Sequence, residues 1–158
     1  MEELRIPKRR TSVEVLLPGG AVRQVIVFLS EFASTHVGAE RLSDLLNGTN
    51  EFLPAVDLES DRATFLNRAS ICAARVAPEL EEDVHAADGA TIPTEHEVEI
   101  TLNDGSVLKG LISYVLPPDR SRLADYLNDS TPFFRLLEGN KVSLVNKRHV
   151  SRIVAIKG

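Results

Sequence analysis

Along the second half of the chain, Val98, Ile100 and Leu102 alternate with Glu99 and Thr101, the period-2 pattern of a strand with one wet face. Asn103-Asp104-Gly105 then supplies residues that accept the positive φ of a tight hairpin, and a second strand is predicted from Val107 to Leu116. Gly110 inside that strand marks a bend or bulge where a side chain would obstruct a close approach. Leu123, Tyr126 and Leu127 fall at i, i+3, i+4, a short amphipathic helix closed by Asn128-Asp129. A third strand, Phe133 to Leu137, leads into a hairpin across Asn146-Lys147-Arg148 and a last strand, Val150 to Ile156. That last strand, like its counterpart Ile71 to Val76 in the first half, is rich in apolar residues on both faces, as a strand shared between two sheets or two units would be.

The first half says nearly the same thing. Arg41-Leu42-Ser43-Asp44-Leu45-Leu46-Asn47 returns 81 positions later as Arg122-Leu123-Ala124-Asp125-Tyr126-Leu127-Asn128. Val13-Glu14-Val15 opens the first copy as Val98-Glu99-Ile100 opens the second, and Phe65 to Ile71 pairs with Leu144 to Val150. Between these blocks the offset drifts only from 85 to 79, so loops changed length while elements stayed. Val25 stands where Gly110 would align, so the second strand of the first copy should bend less. Five short strands and one short helix in about 60 residues predict a small, strongly bent β-barrel. The fold class expected is therefore mainly β with short helices: two tandem five-stranded barrels, each with a helix between its second and third strands. The first repeat is expected over 11–77, an acidic linker over 78–94 and the second repeat over 95–158.

Charge sharpens this division. Residues 1–77 carry nine Lys/Arg against ten Asp/Glu and residues 95–158 carry nine against eight, so the formal charge of −5 resides in 78–94. That proline-bracketed segment reads as a solvated tether, with competition for a basic face as the alternative. The apolar runs, such as Val25 to Leu29, fall far short of the roughly 18–20 residues that span a bilayer. Basic residues at Lys8, Arg9 and Arg10 without a following secretory pattern point to a cytoplasmic address. The single cysteine, Cys72, sits among apolar residues and reads as a buried, inert thiol.

The second unit resembles the Sm/Lsm family. It carries Asp104-Gly105, the interior Gly110 and Asp125-Tyr126-Leu127-Asn128 in the order of that family's first motif. Val145 to Ile153 approximates the second motif, and the first unit repeats the pattern. The resemblance implies Sm-like barrels in tandem. The repeat is also similar to bacterial domains of unknown function that combine a helix with a Phe-Leu strand.

Candidate chemistry is sparse. His36, His85, His96 and His149 are scattered without helical metal-site spacing, and Pro18-Gly19-Gly20 lacks the Lys and helix of a phosphate loop. The expectation is no enzyme, no cofactor and no metal. Arg41, Asp44 and Asn47, with Arg122, Asp125 and Asn128, recur at matched positions. They either bond the adjoining loop in each copy or form a partner-facing patch. The function expected is that of a non-enzymatic regulatory or scaffolding protein, of bacterial type, that binds another protein through its paired units. A homo-oligomer is compatible with it. The alternative is RNA or DNA binding through Lys141, Lys147, Arg148 and Arg152, with Tyr126, Phe133 and Phe134 as stacking platforms. A small ligand between the units leaves no trace in the sequence.

Overall fold

A computed structural model describes residues 8–33, 38–81, 92–120, 122–129 and 131–157. The first repeat supplies β1 (Lys8–Leu16), β2 (Val22–Ser30), α1 (Leu42–Leu46), β3 (Phe52–Asp57), β4 (Arg62–Asn67) and β5 (Ala73–Val76). The second supplies β6 (Thr94–Leu102), β7 (Val107–Tyr114), α2 (Leu123–Leu127), β8 (Phe133–Glu138), β9 (Lys141–Asn146) and β10 (Val150–Lys157). The two series match element for element, including the 3-10 turns Arg68–Ser70 and Lys147–His149 before the last strand of each.

The expectation of two tandem closed barrels is not met. All ten strands form one antiparallel sheet in the order β10-β6-β7-β8-β9-β5-β1-β2-β3-β4. The reason lies in β5, which pairs with β1 along one edge and gives its other edge to β9 of the second repeat. Backbone groups that would close the first unit on itself are thereby used between units, and the sheet runs on.

The apolar residues sort into two cores, and each core borrows from the other repeat. Val13, Val15, Val25, Val27, Leu29 and Leu53 form the first, completed by Phe133 and Leu144. Val98, Ile100, Ile112 and Leu136 anchor the second, completed by Leu16, Cys72 and Ala73. Along β5 the alternation sends Ala74 and Val76 to the first core and Ala73 to the second, and β9 divides Leu144 from Val145 in the same way. The strands at the junction are thus buried on both faces, which is why they read as continuous apolar runs.

Local chemistry sets the rest. Gly105 turns the β6–β7 hairpin at φ +90°, the left-handed region that Asn103-Asp104-Gly105 predicts. A Cβ on Gly110 would stand 2.5 Å from the Leu137 carbonyl oxygen, so β7 and β8 cross closely only because that residue is glycine. Asp44 accepts the Arg41 N–H at 2.8 Å and Asp125 accepts the Arg122 N–H at 3.2 Å, holding the N-terminus of each short helix. The segment expected as a solvated tether is ordered at its start: Pro78–Leu80 is a 3-10 turn and Glu81 is only 3% exposed. Residues 82–91 of that segment, with His85, lie outside the described residues, as does His36, and at its end Thr94 already belongs to β6. Among the described residues no helix is long and apolar enough to cross a membrane.

Candidate functional site

The repeats meet along β5 and β9, with Ala73 opposite Val145, Ala74 opposite Leu144, Arg75 opposite Ser143 and Val76 opposite Val142. The Asn146 N–H donates to the Cys72 carbonyl at 2.9 Å and begins this ladder. Side chains then fasten it. The Asn146 amide donates to the carbonyls of Ile71 at 3.0 Å and Ala69 at 3.4 Å while its oxygen accepts the Arg148 N–H. Asn47 bonds the backbone of Phe133 in both directions, accepting its N–H at 2.8 Å and donating to its carbonyl at 3.3 Å. Such an amide suits the task because it offers a donor and an acceptor to the same backbone unit.

Charged groups reinforce the join. Arg75 reaches Glu14 of β1 at 2.7 Å and Glu138 of β8 at 3.1 Å, so one guanidinium ties three strands from two repeats. The bond from Arg75 holds the Glu14 carboxyl below the usual carboxylate range, burial opposing it. Buried Glu81 accepts the Ser43 N–H at 2.6 Å and its hydroxyl at 2.8 Å at the start of α1, and pairs with Arg135 of β8 at 3.4 Å. A cleft of about 420 Å³ lies beside this junction, lined among others by Arg41, Asp44, Asn47, Tyr126, Asp129 and Arg135. Its charges offset one another, so it presents no net attraction for an anion or a cation.

At the opposite ends of the sheet the same elements stand open. Hairpin register makes β4 the counterpart of β9, with Phe52 opposite Asn67 as Phe133 is opposite Asn146. Likewise β10 is the counterpart of β5, since both lie against the first strand of their repeat. Among the described residues, β4 pairs only with β3 and β10 only with β6. Phe65 occupies the place of Leu144 yet is 68% exposed, where Leu144 is 0%. Val154, in the place of Arg75, is 41% exposed, and Ile156 beyond it is exposed too. Two free edges with apolar side chains are what native sheets ordinarily blunt or cover.

The residues singled out in the sequence divide along this line. Arg41, Asp44 and Asn47 line the cleft beside the junction; Asn47 bonds Phe133 across it, while Arg41 and Asp44 bond each other at the start of α1. Arg122, Asp125 and Asn128 repeat the arrangement on the unjoined side: the Arg122 side chain is 82% exposed against 21% for Arg41. Asn128 donates back to Ala124 of its own helix at 2.8 Å, having no Phe133 to hold. The basic set is spread out. Lys141 begins β9 and Lys147 follows its end, where Asp129 holds it at 3.2 Å, while Lys141, Arg148 and Arg152 are exposed. Phe133 and Phe134 are 3% exposed and belong to the cores, while Tyr126 stacks on Tyr114 at 4.8 Å between ring centres.

Glu81, Arg135, Arg75, Glu138 and Asn146 carry the junction without having stood out in the sequence. Only Asn146 left a signal, its recurrence as Asn67 at the same place in the repeat. Among the described residues no three His, Cys, Asp or Glu gather as metal ligands. A comparison with protein-family models gave no match, and neither curated proteins nor solved structures gave one.

Proposed function

We propose that this chain is a non-enzymatic scaffolding or regulatory protein that binds protein partners by strand addition to its open edges. One observation carries the reading: strands of the type that join the repeats, β4 and β10, have among the described residues no partner on their outer edges, at the two ends of the sheet, and expose apolar side chains there. Backbone hydrogen bonds along such an edge supply affinity, and alternate side chains supply specificity. The reading places the chain in the cytoplasm, in keeping with Cys72, buried and unpaired, whose thiol is pushed up by burial and so is a poor nucleophile.

The test is a pull-down from cell lysate, with and without nuclease, using the wild-type chain and variants with a proline in β4 or β10. Protein recovered despite nuclease and lost with the prolines supports edge binding. Recovery of RNA or DNA that falls steeply with salt overturns it in favour of Arg148 and Arg152 as phosphate contacts.

A further inference from the structure

Independently of the open edges, we infer that the cleft beside the junction binds one small zwitterion, a free α-amino acid with an apolar side chain. The cleft opens between the repeats. Arg41 and Asn47 come to it from the first, Asp129, Thr131 and Arg135 from the second, and the buried Phe134 lies behind them. Its volume of about 420 Å³ falls in the range of small-molecule sites, which favour the seams between units.

Two cations of the cleft are short of an acceptor. The Nε atoms of Arg41 and Arg135 are enclosed by protein and have no hydrogen-bond partner among the described residues; Arg41 Nε comes within 3.5 Å of Asp44 as an ion pair only. Buried polar groups are nearly always satisfied, so an exception points to something that completes it. Arg9 Nε on β1 is in the same state, and what distinguishes the other two is that their residues converge on one cleft, one from each repeat. A guanidinium nitrogen only donates, so the missing partner is an acceptor. Arg41 keeps 21% of its side-chain surface open and Arg135 35%, which leaves both groups within reach of a ligand. A carboxylate between them supplies acceptors to both, in the charge-assisted bonds that guanidinium groups favour.

The balance of charge sets the rest of the ligand. The charged residues of the cleft and their partners form three ion pairs, Arg41 with Asp44 at 3.5 Å, Arg135 with Glu81 at 3.4 Å and Lys147 with Asp129 at 3.2 Å. A lone anion therefore gains no long-range attraction, whereas a ligand that is neutral with separated charges needs none. Asp129 takes its bonds from Thr131 and Lys147 on Oδ1, and Oδ2 is the acceptor for the ammonium. Tyr126 and Phe134 offer an apolar wall to the side chain. The repeats do not duplicate this arrangement. Register places Pro54 where Arg135 stands, and Gly48 follows Asn47 as Asp129 follows Asn128, so one ligand is expected per chain.

The experiment is isothermal titration calorimetry of the purified full chain with L-leucine and L-phenylalanine. It is repeated with phenethylamine, which lacks the carboxylate, and with hydrocinnamate, which lacks the ammonium. L-phenylalanine or L-leucine is expected to bind once per chain and to raise the melting temperature as its concentration rises. L-phenylalanine is expected to exceed both of its analogues roughly tenfold or more in affinity, the worth of a bond to a charged group. Amide signals in nuclear magnetic resonance should move around Asn47, Asp129 and Arg135. Asp129→Asn, at an exposed position outside both cores, should weaken binding while circular dichroism shows the strands intact. No binding of either amino acid at millimolar concentration overturns the inference, as do signals that move only away from the cleft. Hydrocinnamate or phenethylamine binding as tightly as L-phenylalanine overturns it as well, and so does unaltered binding in a folded Asp129→Asn chain. If that variant unfolds, the comparison of analogues on the wild-type chain still decides.

Discussion

The pair β5 and β9 and the pair β10 and β4 are the same two strands of one ancestral unit, in one case joined and in the other apart. Where they are joined, Leu144 is fully buried and Asn146 is 4% exposed; where they are apart, Phe65 and Asn67 face solvent. Burial at these positions is therefore conferred by the neighbouring strand. The exposed end nevertheless keeps Phe65, Ile153, Val154 and Ile156, a composition suited to contact. β10 also carries devices that blunt a solvated edge: Arg152, Lys157 and shifts of register between Val150 and Arg152 and between Ala155 and Lys157.

Substitution at matched positions tests this difference most strongly in the cores. Leu144→Ala is expected to cost about 2–5 kcal/mol in urea unfolding, since it empties a site at the meeting of both repeats. Phe65→Ala in the dilute chain should stay within about 0.5 kcal/mol, the range for surface changes. Equal costs would mean that β4 is covered even in the isolated chain.

A smaller effect is expected from the paired amides. Asn146→Ala leaves the Ile71 carbonyl without its partner and should cost about 1–3 kcal/mol, with Asn67→Ala costing less because its surroundings are open to water. Thermal unfolding of both single variants measures the contrast.

The smallest effect is on acid stability. Glu14 is held below its ordinary range by Arg75, so the folded state binds fewer protons than the unfolded one in the acid range. Its contribution is fully present above the unfolded carboxylate pKa, about 4.3, and is lost as pH falls through the lower folded value. Val154 stands where Arg75 stands, and Glu99, in the place of Glu14, meets Lys109 at 3.7 Å instead. Glu14→Gln should flatten part of the stability loss between neutral and acid pH, followed by urea midpoints at a series of pH values.

Much of the secondary structure was legible because each element has a local cause. Alternation in Val98–Leu102, the turn at Asp104-Gly105 and the stripe of Leu42, Leu45 and Leu46 each act within a few residues. The duplication was legible for the same reason, as matched local patterns. Strand partnership was not, because the period-2 pattern of β5 is equally satisfied by β4 of its own repeat and by β9 of the other. An apolar strand shared between units was correctly anticipated for β5, but the identical signal in β10 is met, among the described residues, by β6 alone. The site residues show the same limit. Arg41 and Asp44 could be placed three apart on a short helix from the pattern around them, whereas Glu81, in an acidic run, gives no local hint that it is buried against Ser43 and Arg135.

Translation exposes the junction in time. β5 ends at Val76 and β9 begins at Lys141, so at roughly 5–20 residues per second the ribosome holds the first repeat for several seconds before its partner strand emerges. During that interval the nascent chain has two bare edges, and β5 is the one with no charged or aromatic obstacle beyond Arg75. A neighbouring nascent chain on the same message carries the same half-made sheet, so the crowding of ribosomes decides whether β5 waits for its own β9 or meets a stranger's.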